Sequence, residues 1–161
     1  MTTRFRMVLR LSDAPRMADA QPPWVVRPVR DDDQEALAVL MLEAYRGTVD
    51  DEGETLDGAR EEVRRTFDGD YGAFLPQFSV VAERTDRLAG ASLITLWEGA
   101  PFVAFTMTHP DEKNRGLGTA LVAGSIELVR EAGHDQLRLV VTEGNDPALH
   151  VYEKLGFRRT S

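Results

Sequence analysis

From Phe102 to Thr108 the chain is apolar on nearly every residue, and it then passes through a basic, glycine-containing loop into a long amphipathic segment. A strand without polar alternation needs cover on both faces, as the central strands of α/β sheets have. The segment from Gly116 to Ala132 places Leu117, Leu121, Gly124 and Leu128 along one helical face, and Gly133 supplies a stop just past its end. This passage alone calls for a sheet with helices packed on it.

The remaining elements agree. Phe5, Met7, Leu9 and Leu11 alternate with Arg4, Arg6 and Arg10, which predicts a half-buried strand over Arg4–Leu11. Ser12 to Pro23 contains Pro15, Pro22 and Pro23 and reads as a linker, followed by a short strand from Trp24 to Pro28. Asp32 and Glu35 resemble a capping box ahead of a helix with Leu37, Leu40, Met41 and Ala44 on its stripe, ending near Arg46-Gly47. A second helix is expected over Thr55–Phe67. Strands follow at Phe78–Glu83, Leu88–Leu96, Phe102–Thr108 and Gln136–Thr142. Asn145 or Asp146 then caps a short helix, and a last strand begins at Phe157. The order β–β–α–α–β–β–β–α–β–α–β describes one mixed α/β domain. Residues 1–23 are its N-terminal strand and linker, and 24–161 the main body.

Cysteine is absent, which removes thiol nucleophiles, zinc-thiolate sites and disulfides. His109, His134 and His150 form no close-spaced ligand set, so no metal site is expected. The net charge of −8 disfavours nucleic-acid phosphates and favours cationic molecules. No apolar run approaches the roughly 20 residues of a membrane span, and the arginines of the first segment interrupt any signal peptide, so the expected location is cytoplasmic.

The chemistry concentrates in His109-Pro-Asp-Glu-Lys-Asn-Arg-Gly-Leu-Gly-Thr-Ala120. A strand leading through such a loop into a helix N-terminus makes an anion site, because the first-turn amides carry the positive end of the dipole. Gly116 and Gly118 let an anion approach the backbone, Lys113 and Arg115 add charge, and Thr119 adds a hydroxyl. A helix that merely starts with glycines is the competing reading. The loop is neither a Walker A loop nor a Rossmann fingerprint, since it lacks Gly-Lys-Ser/Thr and a third glycine.

Lys113-Asn-Arg-Gly-Leu-Gly118 resembles the (Gln/Arg)-x-x-Gly-x-(Gly/Ala) signature of the GCN5-related N-acetyltransferase (GNAT) superfamily. Downstream, Glu143-Gly-Asn-Asp-Pro-Ala-Leu-His-Val-Tyr-Glu-Lys-Leu-Gly-Phe157 is similar to that family's second motif, Asn-x-x-Ala-x-x-x-Tyr-x-x-x-Gly-Phe. The likeness covers roughly residues 24–160. It implies a mostly antiparallel mixed sheet flanked by helices on both faces, and an enzyme that moves acetyl from acetyl-CoA to a primary amine of a small molecule or peptide, expected to be cationic.

Residue by residue, the resemblance implies that Lys113, Asn114, Arg115, Gly116, Leu117, Gly118, Thr119 and Ala120 hold the CoA pyrophosphate. The backbone of Thr106, Met107 and Thr108 pairs with the pantetheine arm as an added strand, and an amide near Met107 polarises the thioester carbonyl. Asn145 contacts the pantetheine. Tyr152 protonates the departing thiolate, as reference pKa values of about 10 and 8.5 permit. Tyr152 also suits a core position, sharing a helical face with Ala148 and Leu155.

The general base stays open among Glu143, Glu98 and Glu83, all strand-end carboxylates. His109 is expected to serve a turn. The stretch Glu43–Asp70 holds ten acids against four arginines, which makes either an acidic mouth for a cationic amine or a solvated helix surface. Tyr71, Phe74, Phe78 and Trp97 are candidate walls for the acceptor or core residues. Family members place two strands after Gly-Phe where Ser161 leaves room for one, so Arg4–Leu11 is expected to complete the sheet, in its own subunit or swapped into a homodimer partner. Two rival functions remain: a catalytically idle CoA-binding module of the same fold, and an unrelated nucleotide-binding domain.

Overall fold

A computed structural model describes residues 3–16, 23–46, 48 and 53–160. Half of the linker (17–22), Gly47, and the acids Asp50, Asp51 and Glu52 lie outside the described residues. The strands are β1 (Arg4–Arg10), β2 (Val25–Pro28), β3 (Val80–Arg84), β4 (Arg87–Trp97), β5 (Ala100–Thr108), β6 (Gln136–Thr142) and β7 (Arg158–Arg159). The helices are α1 (Gln34–Tyr45), α2 (Leu56–Asp68), α3 (Leu117–Glu131) and α4 (Asp146–Lys154). None of them is long and apolar enough to cross a membrane.

The strands form one sheet in the order β2-β3-β4-β5-β6-β1-β7, antiparallel except where β5 meets β6. The N-terminal strand therefore sits between β6 and β7 of its own chain, with Met7 opposite Leu139 and Val8 opposite Arg158. Its alternation decides the placement. Met7, Leu9 and Leu11 are buried against α3 and α4 with Val129, Leu137 and Leu155, while Arg4, Arg6 and Arg10 stay on the other face.

The two faces of the sheet carry different cover. On one, Val122, Ile126 and Val129 of α3 pack with Ile94, Val103 and Leu139. Gly90 admits this approach, since a Cβ there would lie 2.6 Å from Leu121 Cδ1 and 3.0 Å from the Met107 carbonyl oxygen. On the other, Leu37, Leu40 and Met41 of α1 and Val63 of α2 cover Val81, Leu93 and Met107. On this second side β6, β1 and β7 present a largely exposed surface, with Val140 38% accessible.

Two local expectations are corrected. Asp32 is exposed, and the acid that organises the start of α1 is Asp33. It accepts the Arg30 amide at 2.7 Å and both Nη groups of Arg27 at 2.9 and 2.7 Å, while Arg27 Nε reaches Glu83 at 2.8 Å. A single turn of 3-10 helix over Pro76–Phe78 precedes β3, so Phe78 turns into the α3 side of the core, edge-on to His134 at 5.6 Å. It cannot wall a site on the α2 side.

Candidate active site

β5 and β6 run parallel but pair at only two positions, Phe102 with Arg138 and Val103 with Leu139. Beyond them the strands part. A bulge coincides with the split: Ile94 faces Val103 and Leu93 faces Phe105, leaving Ala104 as the extra residue. The β5 edge from Ala104 to Thr108 consequently has no ladder partner on the β6 side. An unpaired strand edge inside a sheet is ready to accept another extended chain.

Along this edge Thr106 carries an orphan. Its Oγ1 is buried and has no hydrogen-bond partner among the described residues, a state that costs about 1–3 kcal/mol unless something else supplies the bond. Met107 is buried among the α1–α2 cluster and its carbonyl oxygen is turned to β4, near Gly90, so the backbone groups that face the split are those of its neighbours Thr106 and Thr108. Thr108 Oγ1 would sit 3.3 Å from a Cβ on Gly118, which keeps the strand end and the helix start in close contact.

The loop after β5 is tightly held. His109 Nδ1 accepts the Asp111 amide at 3.1 Å, which gives this histidine the expected turn role. Positive φ angles at Asn114 (65°) and Gly116 (82°) flank Arg115, a pattern that turns successive amides toward one side. Gly116 stands at the N-cap of α3 and no side chain caps the helix there. The amides of Leu117, Gly118 and Thr119 thus face outward without an intrahelical acceptor. Lys113 and Arg115 are exposed beside them, whereas the Leu117 side chain is buried and offers only its amide.

Glu112 anchors the loop and escaped the sequence reading, because nothing in the motif separates it from its exposed neighbour Asp111. Its carboxylate is fully buried. It accepts hydrogen bonds from Trp24 Nε1 and Arg84 Nη1, each at 3.0 Å, with Arg87 at 3.4 Å and Arg115 at 3.6 Å. Burial pushes its pKa up, but the hydrogen bonds from Trp24 and Arg84 and the charges of Arg84 and Arg115 together outweigh it and leave the pKa below the usual carboxylate range.

Across the split, Asn145 caps α4 by accepting the Ala148 amide at 3.4 Å. Tyr152 on α4 is 8% accessible and stacks edge-on against Phe157 at 5.7 Å. Glu143 is exposed at the end of β6, its amide bonded to the Thr3 carbonyl at 2.8 Å. Thr106–Thr108 thus close β5 and Lys113–Ala120 follow it, Glu143 and Asn145 follow the end of its parallel neighbour β6, while Tyr152 sits on α4 within the core on the α3 side.

Glu98 and Glu83 lie elsewhere. Glu98 occupies the β4–β5 turn, at the other end of β5, and both its oxygens pair with Arg6 at 3.1 and 3.3 Å. Glu83 is tied to Arg27. Trp97 is exposed in the same turn as Glu98, whereas Tyr71 and Phe74 remain on the α2 side.

These features describe a track: an unpaired strand edge, then outward amides at an uncapped helix start, with a buried tyrosine on the facing helix. A family model described as the acetyltransferase (GNAT) family matches residues 35–157. The chain belongs to the GNAT acetyltransferase family. Relatives include the mycothiol acetyltransferase of Clavibacter sepedonicus, 38% identical over 86 residues, 53% of this chain and 28% of that protein. The mycothiol acetyltransferase of Thermobispora bispora is 31% identical over 134 residues, 79% of this chain and 43% of that one. The chain thus spans less than half the length of these two relatives. Among solved structures, a GCN5-related N-acetyltransferase from Sphaerobacter thermophilus aligns over 99% of this chain and 49% of its own, with a TM-score of 0.73 at 19% identity, a likeness of fold.

The side of the GNAT sheet covered by α1 and α2 meets the split at Phe105. The Tyr71 ring lies edge-on to Phe105 at 6.5 Å, and its hydroxyl donates to Glu62 Oε1 at 2.7 Å. Burial, then the bond to Glu62 and its charge, raise the Tyr71 pKa, so this hydroxyl stays protonated. The nine-residue separation of Glu62 and Tyr71 gave no sign of this pairing. Around them the acidic stretch is largely neutralised: Arg60 bridges Glu35 and Asp57, Arg64 bridges Glu61 and Asp68, and Arg65 meets Asp70.

Proposed function

We propose that this chain transfers an acetyl group from acetyl-CoA to a primary amine of a small molecule or peptide, by direct attack of the amine on the thioester. The observation that carries the reading is the orphan Thr106 hydroxyl on an unpaired β5 edge that leads straight to the uncapped amides of α3. Acetyl-CoA supplies an activated acyl group with a good leaving thiolate.

The residues divide the work by position. The amides from Arg115 to Thr119, with Lys113 and Asn114 beside them, hold the pyrophosphate, where helix dipole and side-chain charge act together, whereas the Ala120 amide is taken by the Gly116 carbonyl at 3.0 Å. The backbone of Thr106 to Thr108 aligns the pantetheine arm, Asn145 contacts it from the α4 side, and a β5 amide near Met107 stabilises charge developing on the carbonyl oxygen. Tyr152 gives its proton to the departing sulfur. Glu143 takes the amine's proton, directly or through water. Of the three carboxylates considered from sequence, it is the one at the split without an ion pair among the described residues. The acceptor arrives as an ammonium ion, which the negative overall charge and Glu62 favour.

Calorimetric titration with acetyl-CoA, with ATP as control, tests the donor site first. Micromolar-range binding of acetyl-CoA alone supports the assignment and opens a screen of amines by thiol release. A folded sample that ignores acetyl-CoA removes the basis for the proposed activity, and preference for ATP points to a nucleotide-binding domain instead.

A further inference from the structure

The face of the sheet left open beside the split is a field of arginine. On β1 it presents Arg4, Arg6 and Arg10, on β6 Arg138, and on β7 Arg158, because directly opposed residues share a face and Val8 lies opposite both Arg138 and Arg158. On α2 and around Glu112 the arginines are matched to carboxylates. Here Glu98 satisfies Arg6 alone. Arg4, Arg10, Arg138 and Arg158 have no carboxylate within ion-pair distance among the described residues, and Arg138 gives its Nε and Nη2 to the neutral Gln136 Oε1.

In a chain with eight more acids than bases, four unmatched guanidinium groups on one sheet face need an explanation. Like charges gathered on a sheet repel, and among the described residues no carboxylate pairs with these four. We infer that the acceptor carries a carboxylate or phosphate group set apart from its amine, and that Arg138 and Arg158, flanking Val8, receive it. The inference rests on the acetyl-transfer reading and adds the substrate's chemistry to it.

The geometry suits that role. Strands spaced about 5 Å apart put the Cα atoms of Arg138 and Arg158 roughly 10 Å apart on either side of Val8, a gap that two guanidinium forks can close over one oxyanion. Val8 is the apolar residue between the two charges, and the exposed Val140 lies beside Arg138 on β6. Arg138 stands opposite Phe102, one pair before the last at which β5 and β6 are joined. An anionic group held over Val8 therefore lies about two strand spacings, or ~10 Å, from β5. Phe105 lies three residues past the level of Phe102, about 10 Å further along the strand, so the anion and the split are roughly 14 Å apart, a span for an extended amine–anion chain together with the reach of the arginine side chains.

The test uses the full chain loaded with CoA and a series of ω-amino acids, from 4-aminobutanoate to 8-aminooctanoate, each paired with its methyl ester. A phosphate arm compares 6-aminohexyl phosphate with 6-aminohexanol. Binding is read from the arginine Nε–H resonances. At least one acid or phosphate is expected to bind tenfold or more tightly than its neutral partner, to move the Arg138 and Arg158 signals, and to lose that advantage in the R138Q/R158Q double variant but not in R16Q. The two arms tell which oxyanion is preferred. Equal binding of charged and neutral partners, no saturable shift with any member of the series, or an undiminished advantage in R138Q/R158Q overturns the inference. Acetyl-CoA calorimetry on the same wild-type sample keeps the two questions apart, because its failure sinks the transfer reading while an acid–ester tie beside intact acetyl-CoA binding sinks only the anionic acceptor.

Discussion

Val103 faces Leu139 across the only parallel strand pairing among the described residues, and the next residue, Ala104, is the bulge at which β5 leaves β6. The bulge fixes which backbone groups of β5 are free and which side chains turn toward α1 and α2. Everything proposed for the site depends on that one-residue insertion.

Tyr152→Phe isolates the acid role. The ring is buried and packs on Phe157, so removal of the hydroxyl leaves the packing in place. Turnover is expected to fall by about 10²- to 10⁴-fold with acetyl-CoA affinity retained. Thiol release reads the first cleanly because the chain has no cysteine, and calorimetry reads the second. Full turnover in the variant rules Tyr152 out as the proton donor.

Gly116→Ala examines the anion site through backbone alone. A Cβ there meets nothing within 4 Å, but the φ of +82° is unfavourable for any residue with a side chain by about 1–2 kcal/mol. The loop is expected to relieve that strain by turning its amides, so acetyl-CoA should bind at least fivefold more weakly while Tm moves by only a few degrees. Unchanged affinity shows that these amides do not hold the cofactor.

The buried Glu112 makes stability depend on acid. Its pKa is depressed in the folded chain, so its stabilisation is present above the ordinary carboxylate range and is lost as pH falls through the lowered folded value. Glu112→Gln is expected to cost about 2 kcal/mol near pH 7, the worth of hydrogen bonds to a charged group. The gap between variant and wild type should narrow below pH 4. Urea melts across pH 3–7 decide the matter, and a gap that stays constant over that range removes the charge from the account.

Leu9 is completely buried at the centre of β1. Leu9→Ala is expected to cost about 2–5 kcal/mol, and deletion of residues 1–12 several kcal/mol or the soluble state itself. A truncated chain that melts like the full one makes the N-terminal strand an accessory to the domain instead of part of it.

Much of this was legible in the chain because the signals were local. Alternation of Phe5, Met7, Leu9 and Leu11 with arginines gave β1 its buried side, and Asn145 followed by Pro147 gave α4 its start. Where several neighbours had the same chemistry, sequence could not choose among them. Asp31, Asp32 and Asp33 look alike until Arg27 reaches one of them from β2, and Asp111 and Glu112 look alike until Trp24 does the same. The bulge at Ala104 left no residue signature, since any small side chain tolerates it. The arginines of β1 were visible, but their company with Arg138 and Arg158 required the strand order.

The position of β1 has a consequence for how the molecule comes into being. Arg4 faces Thr142 and Arg10 faces Gln136, so the first of the seven strands to be synthesised pairs with the sixth. Until β6 emerges, Phe5, Met7, Leu9 and Leu11 have no neighbour to bury them, and closure of so long a loop comes late and slowly. The arginines set between them are then the nascent segment's own protection, charged gatekeepers that discourage it from pairing with a strand of another chain.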